Sequence, residues 1–199
     1  MKKKNIIKTQ EQLFNFFKDK SLRMLKNTVI SFENNLKLGS NILFEGKINL
    51  GKNNKIDSNC TLENINLGNY NHIKMSSLIS NSKISDNVII GPFAYIREKT
   101  NIQKNSIIGA YVEVTRSTIQ QKVYASHRTF IGDANIGEKV IIGAGTVFCN
   151  YSFKNNSKEK SIIGKNCKIG SNSTIIAPCN MKPNTIVPAL TKFKKNNIS

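Results

Sequence analysis

Apolar residues recur at every sixth position along most of this 199-residue chain. The series runs from Leu38 to Val187, with occasional five-residue steps and one interruption after Phe148. A period of six matches neither the α-helix nor the heptad repeat, but it matches a short strand followed by a tight turn. Three such units close a triangular coil of about 18 residues, and stacked coils bury the aliphatic column. The sequence therefore predicts an all-β chain, folded as a parallel β-helix with roughly eight coils between these two residues.

We call these sixth-position residues the key residues. The residues beside them in the sequence support the same fold. The residue two positions earlier is usually small, as at Ala94, Ser106 and Thr146, and side chains two apart on a strand face the same way. Ten of the twelve glycines directly follow a key residue. We expect these glycines to adopt a backbone conformation that turns the corner of the coil.

Three segments depart from the repeat. Residues 1–30 contain apolar side chains among Lys, Gln and Glu without glycine or proline, which predicts a helical cap over the first coil. Residues 31–190 form the predicted solenoid, and the polar residues 150–160 interrupt it as a loop. That loop is either ordinary solvated surface or a substrate contact. Residues 191–199 form a basic tail.

The formal net charge of +18 raises the question of nucleic-acid binding. The lysines are scattered and lack the interleaved aromatic residues that stack bases, so a solvated surface is favoured and no nucleic-acid partner is expected. The excess of Lys, Asn and Ile is typical of a coding bias spread over a surface. No stretch reaches the roughly 20 apolar residues of a membrane span. The four cysteines lack CxxC spacing, so we expect a protein of the reducing cytoplasm.

The repeat also assigns the key residues to three faces, which we name A, B and C in chain order from Ile96. Residues two positions after successive key residues of face C then stack at one corner, about 4.8 Å apart. These residues are His127, Ala144, Ser171 and Ala189. A basic group followed by three small residues predicts a groove about 14 Å long, which fits an extended thiol arm with its reactive end at His127.

Several motifs from Ile90 onward carry a resemblance to a known family. They are IGPFAYIR, YVEV, SHRTFIGDANIG, IGAGTVFCNY and IGSNSTIIAP. Together they resemble the C-terminal acetyltransferase domain of the bifunctional bacterial enzyme N-acetylglucosamine-1-phosphate uridyltransferase/glucosamine-1-phosphate acetyltransferase. The resemblance covers most of the chain from about residue 30 and implies a left-handed β-helix that assembles as a homotrimer.

The resemblance also implies an acetyl-CoA-dependent N-acetyltransferase without a bound metal. His127 matches the general base, a role that suits an imidazole, and Glu113 matches the acid that orients it. The contacts to coenzyme A fall on the corner already described, at Ala144, Ser171 and Ala189. The contacts to the sugar phosphate and the acetyl group match Arg97, Thr115, Phe130, Ile141, Asn150 and Tyr151.

Three of those positions differ from the family. Thr115 stands where the family has a phosphate-binding lysine, Phe130 where it has a tyrosine, and Ile141 where it has an asparagine. The half of the site that binds the acetyl donor is therefore better preserved than the half that binds the sugar phosphate. Glucosamine 1-phosphate, in the UDP-N-acetylglucosamine pathway, is the leading acceptor. A different amino sugar and a non-catalytic trimeric scaffold are the alternatives.

Other expectations concern the partners of the chain. No glycine precedes Gly39, so the nucleotide loop of the family's uridyltransferase half has no match, and a separate uridyltransferase is a candidate partner. The family's C-terminal arginine, which meets coenzyme A, falls beyond Ser199, and Lys192, Lys194 and Lys195 could replace it. A γ-type carbonic anhydrase uses the same fold, but its zinc site needs three histidines and this chain has two.

Overall fold

The computed structural model describes residues 4–194, which form a left-handed parallel β-helix of about ten coils. The predicted assignment of key residues to three faces is confirmed, because Ile96 pairs with Val114, Ile102 with Ile119, and Ile108 with Ala125. The solenoid has more coils than the eight expected between Leu38 and Val187. Pairing also includes strands that lie before and after that span.

The strands follow the three faces in turn. The strands on face A are Arg23–Met24, Leu78–Ser80, Tyr95–Arg97, Glu113–Thr115, Phe130–Gly132, Val147–Cys149, Thr174–Ile176 and Lys192–Phe193. Two longer strands, Leu43–Leu50 and Thr61–Leu67, bend from face A to face B. The strands on face B are Val29–Phe32, Lys83–Ile84, Asn101–Ile102, Thr118–Ile119, Ala134–Ile136, Ser161–Ile163 and Cys179–Met181. The strands on face C are Lys37–Leu38, Lys55–Ile56, His72–Ile73, Ile89–Ile90, Ile107–Ala110, Tyr124–His127, Ile141–Ile142, Lys168–Ile169 and Ile186–Val187.

The interior of the solenoid is the predicted aliphatic column. Every key residue except Leu38 is buried, and the small residues two positions earlier, such as Ala94 and Ser106, are buried beside them. Cys60, Cys167 and Cys179 occupy the same kind of position and are also buried, which confirms their prediction as small interior fillers.

The predicted short helical segment at the N-terminus is present, and strands accompany it. One helix spans Gln10–Phe17, with Thr9 as its N-cap, and its Leu13 is fully buried in the core. Strand Asn5–Ile7 runs antiparallel to Val29–Phe32 and so pairs the edge of the first coil. The helical prediction for residues 1–30 overlooked these strands, which depend on pairing partners distant in sequence. Within residues 4–194, no helix is long and apolar enough to cross a membrane.

The expected reason for the glycines after key residues is wrong at most positions. Among those ten glycines, only Gly91 has a positive φ. The common reason is close packing of one coil on the next, since a Cβ at Gly109 would lie 2.0 Å from the carbonyl oxygen of Ser126. The left-handed corner conformation falls mainly on other residues, and half of the non-glycine residues with positive φ in the described part of the chain are asparagines.

The abundance of asparagine therefore has a structural explanation, which a coding bias alone does not provide. Side-chain amides stack at equivalent corner positions of successive coils, where Asn35 donates to Asn53 at 2.9 Å and Asn166 donates to Asn184 at 3.0 Å. An asparagine tolerates the left-handed conformation and hydrogen-bonds to the coil beside it.

Gly109→Ala should destabilise the solenoid by about 1–3 kcal/mol, because the added methyl group overpacks the contact with the next coil. Urea unfolding followed by circular dichroism measures this change. Lys74 occupies the same position after its key residue and already carries a Cβ, so Lys74→Ala serves as the control and should change stability by about 0.5 kcal/mol or less. Equal stability of the two variants would contradict close coil packing as the role of Gly109.

Candidate functional site

The turn from face C to face A, which we call the C corner, places His127, Ala144, Ser171 and Ala189 in successive coils. Backbone hydrogen bonds connect these coils, because Asn172 N donates to the Ala144 carbonyl at 2.8 Å and Leu190 N donates to that of Ser171 at 2.9 Å. The stacking expected from the six-residue repeat is thus present. A shallow path of small residues runs from His127 toward the C-terminal coils.

His127 ends strand Tyr124–His127, and its side chain is exposed. Its backbone pairs with Ala110 of the preceding coil, and its carbonyl accepts a hydrogen bond from the Thr129 hydroxyl at 2.9 Å. No residue in the described part of the chain hydrogen-bonds to the imidazole. The ring is therefore held by a fixed backbone and is accessible to a ligand lying along the C corner.

The turn from face A to face B, which we call the A corner, contains a network of opposite charges. Nε and one terminal nitrogen of Arg97 donate to Glu113 at 3.1 and 2.7 Å. Nε and one terminal nitrogen of Arg116 donate to the two carboxylate oxygens of Asp133 at 2.7 and 2.9 Å. Glu98 contacts the remaining terminal nitrogen of each arginine. Each arginine is therefore oriented on one edge by a carboxylate from a different coil.

The network lowers the pKa of two of its carboxylates, those of Asp133 and Glu98. Burial alone would raise the pKa of Asp133, but hydrogen bonds from Arg116 and Asn150 lower it below the ordinary value. The pKa of Glu98 is also lowered, chiefly by its hydrogen bond with Arg116. Both carboxylates also receive a favourable electrostatic interaction from Lys158 of the loop. The A corner thus favours the ionised forms of Asp133 and Glu98.

The expected loop at 150–160 is a β-hairpin inserted between faces A and B. Strands Tyr151–Ser152 and Ser157–Lys158 pair antiparallel. The Tyr151 hydroxyl donates to Asn156, and its ring packs edge-on against Phe153 at 5.4 Å. Phe153 is itself 92% exposed. The hairpin presents an open aromatic surface above the A corner.

The other expected substrate residues lie on different surfaces. Thr115 is fully buried, with its hydroxyl 3.0 Å from Arg116 and 3.4 Å from Glu98. Phe130 is half-buried on face A beside Glu113, whereas Ile141 is exposed on face C beside Tyr124. The Glu113 carboxylate hydrogen-bonds Arg97, and its strand pairs within face A rather than with the strand of His127.

The residues expected at the A corner and those expected at the C corner therefore form two separate groups within one chain. Of the basic side chains expected to replace the family's C-terminal arginine, Lys192 and Lys194 are exposed at the last coil. Lys195 lies outside the described residues. Within residues 4–194, no group of three or more His, Cys, Asp and Glu side chains is placed to hold a metal ion.

Sequence reasoning missed Glu98 and Asp133. Both lie two positions after a key residue of face A, in the same column as Arg116 and Asn150. The rule that located His127 on face C therefore also locates this column when it is applied to face A. The alternation of acidic and basic residues along the column was the signal available in the sequence.

Comparisons with known proteins agree with this architecture. A family model described as bacterial transferase hexapeptide (six repeats) matches residues 81–116. The chain is 38% identical over 162 residues to the "Bifunctional protein GlmU" of Baumannia cicadellinicola subsp. Homalodisca coagulata, and 42% identical over 149 residues to the protein of that name from Clostridium beijerinckii. These alignments cover 81% and 75% of this chain but 34% and 32% of the relatives.

A solved structure shares the fold at lower sequence identity. It is the UDP-N-acetylglucosamine acyltransferase of Francisella novicida, with a TM-score of 0.54, 17% identity, and coverage of 78% of this chain and 59% of that chain. The coil geometry and these matches agree on a hexapeptide-repeat β-helix. The chain is similar to the bifunctional protein GlmU, of which it spans about a third of the length.

Asp133→Asn should lower the free energy of unfolding by about 1–3 kcal/mol at pH 7, because it removes an ionised partner of Arg116. The pKa of Asp133 is lowered on folding, so its stabilising effect is present above its unfolded value of about 3.9 and is lost as the pH falls through the folded value. The difference between variant and wild type, measured by urea unfolding, should therefore shrink below about pH 4. A difference that is equal at pH 7 and pH 3 would contradict this role.

Proposed function

We propose that this chain is an acetyl-CoA-dependent N-acetyltransferase acting on an amino sugar phosphate, with glucosamine 1-phosphate as the leading acceptor in the UDP-N-acetylglucosamine pathway. One observation carries the proposal: an exposed imidazole stands at the start of a corner path of small residues in a hexapeptide-repeat β-helix. The resemblance of the motifs from Ile90 onward to the glucosamine-1-phosphate acetyltransferase domain supports an amino-sugar acceptor.

The C corner supplies the chemistry of acetyl transfer. In the proposed reaction, the acceptor amine attacks the thioester carbonyl of acetyl-CoA while His127 removes the amine proton, and the thiolate of coenzyme A leaves. The backbone N–H of Ala144 makes no hydrogen bond within the described chain, so it is available to the developing oxyanion. Ser171 and Ala189 leave room for the pantetheine arm along the following coils.

The A corner supplies the charges that meet the acceptor. Arg97 is oriented by Glu113, while Asn150 and Tyr151 lie where the hairpin begins. One side of the triangular coil separates this corner from His127, at about 3.3 Å for each residue of the strand. A sugar phosphate is too small to span that separation, so we place the complete site between two copies of the chain.

The outer surfaces of the solenoid support a cyclic trimer. In the middle coils, faces A and C present large apolar residues outward, whereas face B presents polar residues. The outward residues of face A include Leu78, Tyr95, Phe130 and Val147. Those of face C are Ile89, Ile107, Tyr124 and Ile141. Cyclic symmetry that packs face A of one copy against face C of the next buries both surfaces and leaves face B in water.

Charges in the first coils favour the same pairing. Face A carries Glu45 and Glu63 there, and face C carries Lys37 and Lys55 at similar heights in the solenoid. Opposite charges on the two faces favour the pairing of A with C over the pairing of like faces. Cys60, Cys149 and Cys167 are free thiols in the structure. We place the reaction in the cytoplasm, because its reducing conditions keep thiols free.

His127→Ala should reduce acetyl transfer to the amino sugar by about 10²–10⁴-fold while the fold is retained, because the general base is lost. Release of the coenzyme A thiol measures the rate, and circular dichroism checks the fold. The other histidine, His72, hydrogen-bonds Asp57 at 2.8 Å on face C several coils away, so His72→Ala is the matched control and should keep near wild-type turnover. Near-normal turnover of the His127 variant would refute the assignment.

Mixing inactive His127→Ala and Arg97→Ala subunits should restore activity if each site combines the C corner of one copy with the A corner of the next. Random mixing of equal amounts places an intact C corner beside an intact A corner at about a quarter of the interfaces in a cyclic trimer, so about a quarter of wild-type activity is expected. Native mass spectrometry confirms subunit exchange. A fully active monomer, or absence of rescue after proven exchange, would overturn the shared site.

A further inference from the structure

Two arginines at the A corner share one carboxylate, that of Glu98. A terminal nitrogen of Arg97 donates to one of its oxygens, and a terminal nitrogen of Arg116 donates to the other. The buried hydroxyl of Thr115 lies 3.4 Å from the second oxygen. Glu98 therefore occupies a three-donor anion cradle, which we define as the facing terminal nitrogens of Arg97 and Arg116 together with the Thr115 hydroxyl.

The cradle is held in place without Glu98. The other edge of Arg97 is fixed by Glu113, and the other edge of Arg116 is fixed at both nitrogens by Asp133. The two arginine side chains are only 24% and 26% exposed. Because hydrogen bonds to Glu113 and Asp133 fix both guanidinium groups on the edge away from Glu98, the donors would keep their positions if the Glu98 carboxylate moved away.

Glu98 has the most exposed side chain of this charged network. Its side chain is 48% exposed, about twice the value of either arginine. It lies at the turn of the coil, where Glu98 and Lys99 both have positive φ. Glu98 and Arg116 also line an open groove of about 810 Å³ beside the corner, so a solute can reach the cradle.

We propose that Glu98 determines acceptor specificity by occupying the position at which the A corner binds the phosphate of the acceptor. This proposal rests on the proposed function, since the acceptor is taken to be an amino sugar. With Glu98 in place, the two arginines face three carboxylates, those of Glu98, Glu113 and Asp133, so the positive charge of the arginines is already neutralised. A phosphate must replace the Glu98 carboxylate at the two arginines and then lies close to that displaced negative charge. An unphosphorylated amino sugar does not compete with Glu98 for the arginines.

The test is direct binding, without acetyl-CoA, to the full chain. Isothermal titration calorimetry with inorganic phosphate and with glucosamine 1-phosphate should show affinities about tenfold higher for Glu98→Gln and Glu98→Ala than for the wild type. The affinity for glucosamine should be the same in all three proteins. Two variants are used so that one remains available if the other fails to fold, which circular dichroism reports.

Glu63→Gln is the matched control. Glu63 lies near the same corner two coils away, hydrogen-bonds Asn81 at 3.1 Å, and makes no ion pair within the described chain. Its substitution removes the same charge from the protein and should leave phosphate affinity within about twofold of the wild type. An equal rise in the control would show a general charge effect and overturn the role of Glu98.

Unchanged phosphate affinity in the Glu98 variants would also overturn the proposal, as would failure of every protein to bind either phosphate ligand. These outcomes are separate from failure of the proposed function. Loss of the acetyltransferase assignment would appear as absence of coenzyme A release in the wild type, a reaction that the binding measurement does not use.

Discussion

Burial of one aliphatic column inside a triangular coil is the constraint on which the remaining structure depends. Residues such as Ile96, Ile102 and Ile108 point inward from the three faces, and a one-residue slip would expose the side chains that the column buries. The register is therefore fixed along the whole solenoid. Because it is fixed, corner residues far apart in sequence, such as His127 and Ala189, line up on successive coils. The candidate site is a direct product of this alignment.

The two halves of the proposed site are built by different physical means. At the C corner, small residues and backbone groups shape a path, and His127 is the proposed general base. At the A corner, charge provides the organisation, since Arg97 and Arg116 are oriented by carboxylates from neighbouring coils. The donor half therefore depends mainly on shape and the acceptor half on electrostatics. Changes in a few charged residues of the A corner can alter the acceptor while the solenoid and the C corner stay the same.

Features governed by the six-residue period could be predicted from the sequence, because burial repeats with that period. This covers the three faces, the interior cysteines and the stacking at His127. Pairing of Asn5–Ile7 with Val29–Phe32 could not be predicted in the same way, since no period marks it. The sequence indicated that the glycines after key residues have a structural role, but the predicted cause was wrong. The contact between coils at Gly109 depends on residues distant in sequence and is visible only in the structure. The six-residue repeat also places Asp133 at the A corner, but the sequence analysis did not single out this residue.

Turnover against a panel of acceptors is the direct measurement of acetyl transfer from acetyl-CoA to an amino sugar. The panel consists of glucosamine, glucosamine 1-phosphate and further amino sugars with and without phosphate, and the N-acetylated product is identified by mass spectrometry. We expect coenzyme A release matched by one acetyl group on the acceptor nitrogen for at least one member. Binding of acetyl-CoA without product formation for any acceptor, or absence of acetyl-CoA binding, would contradict it.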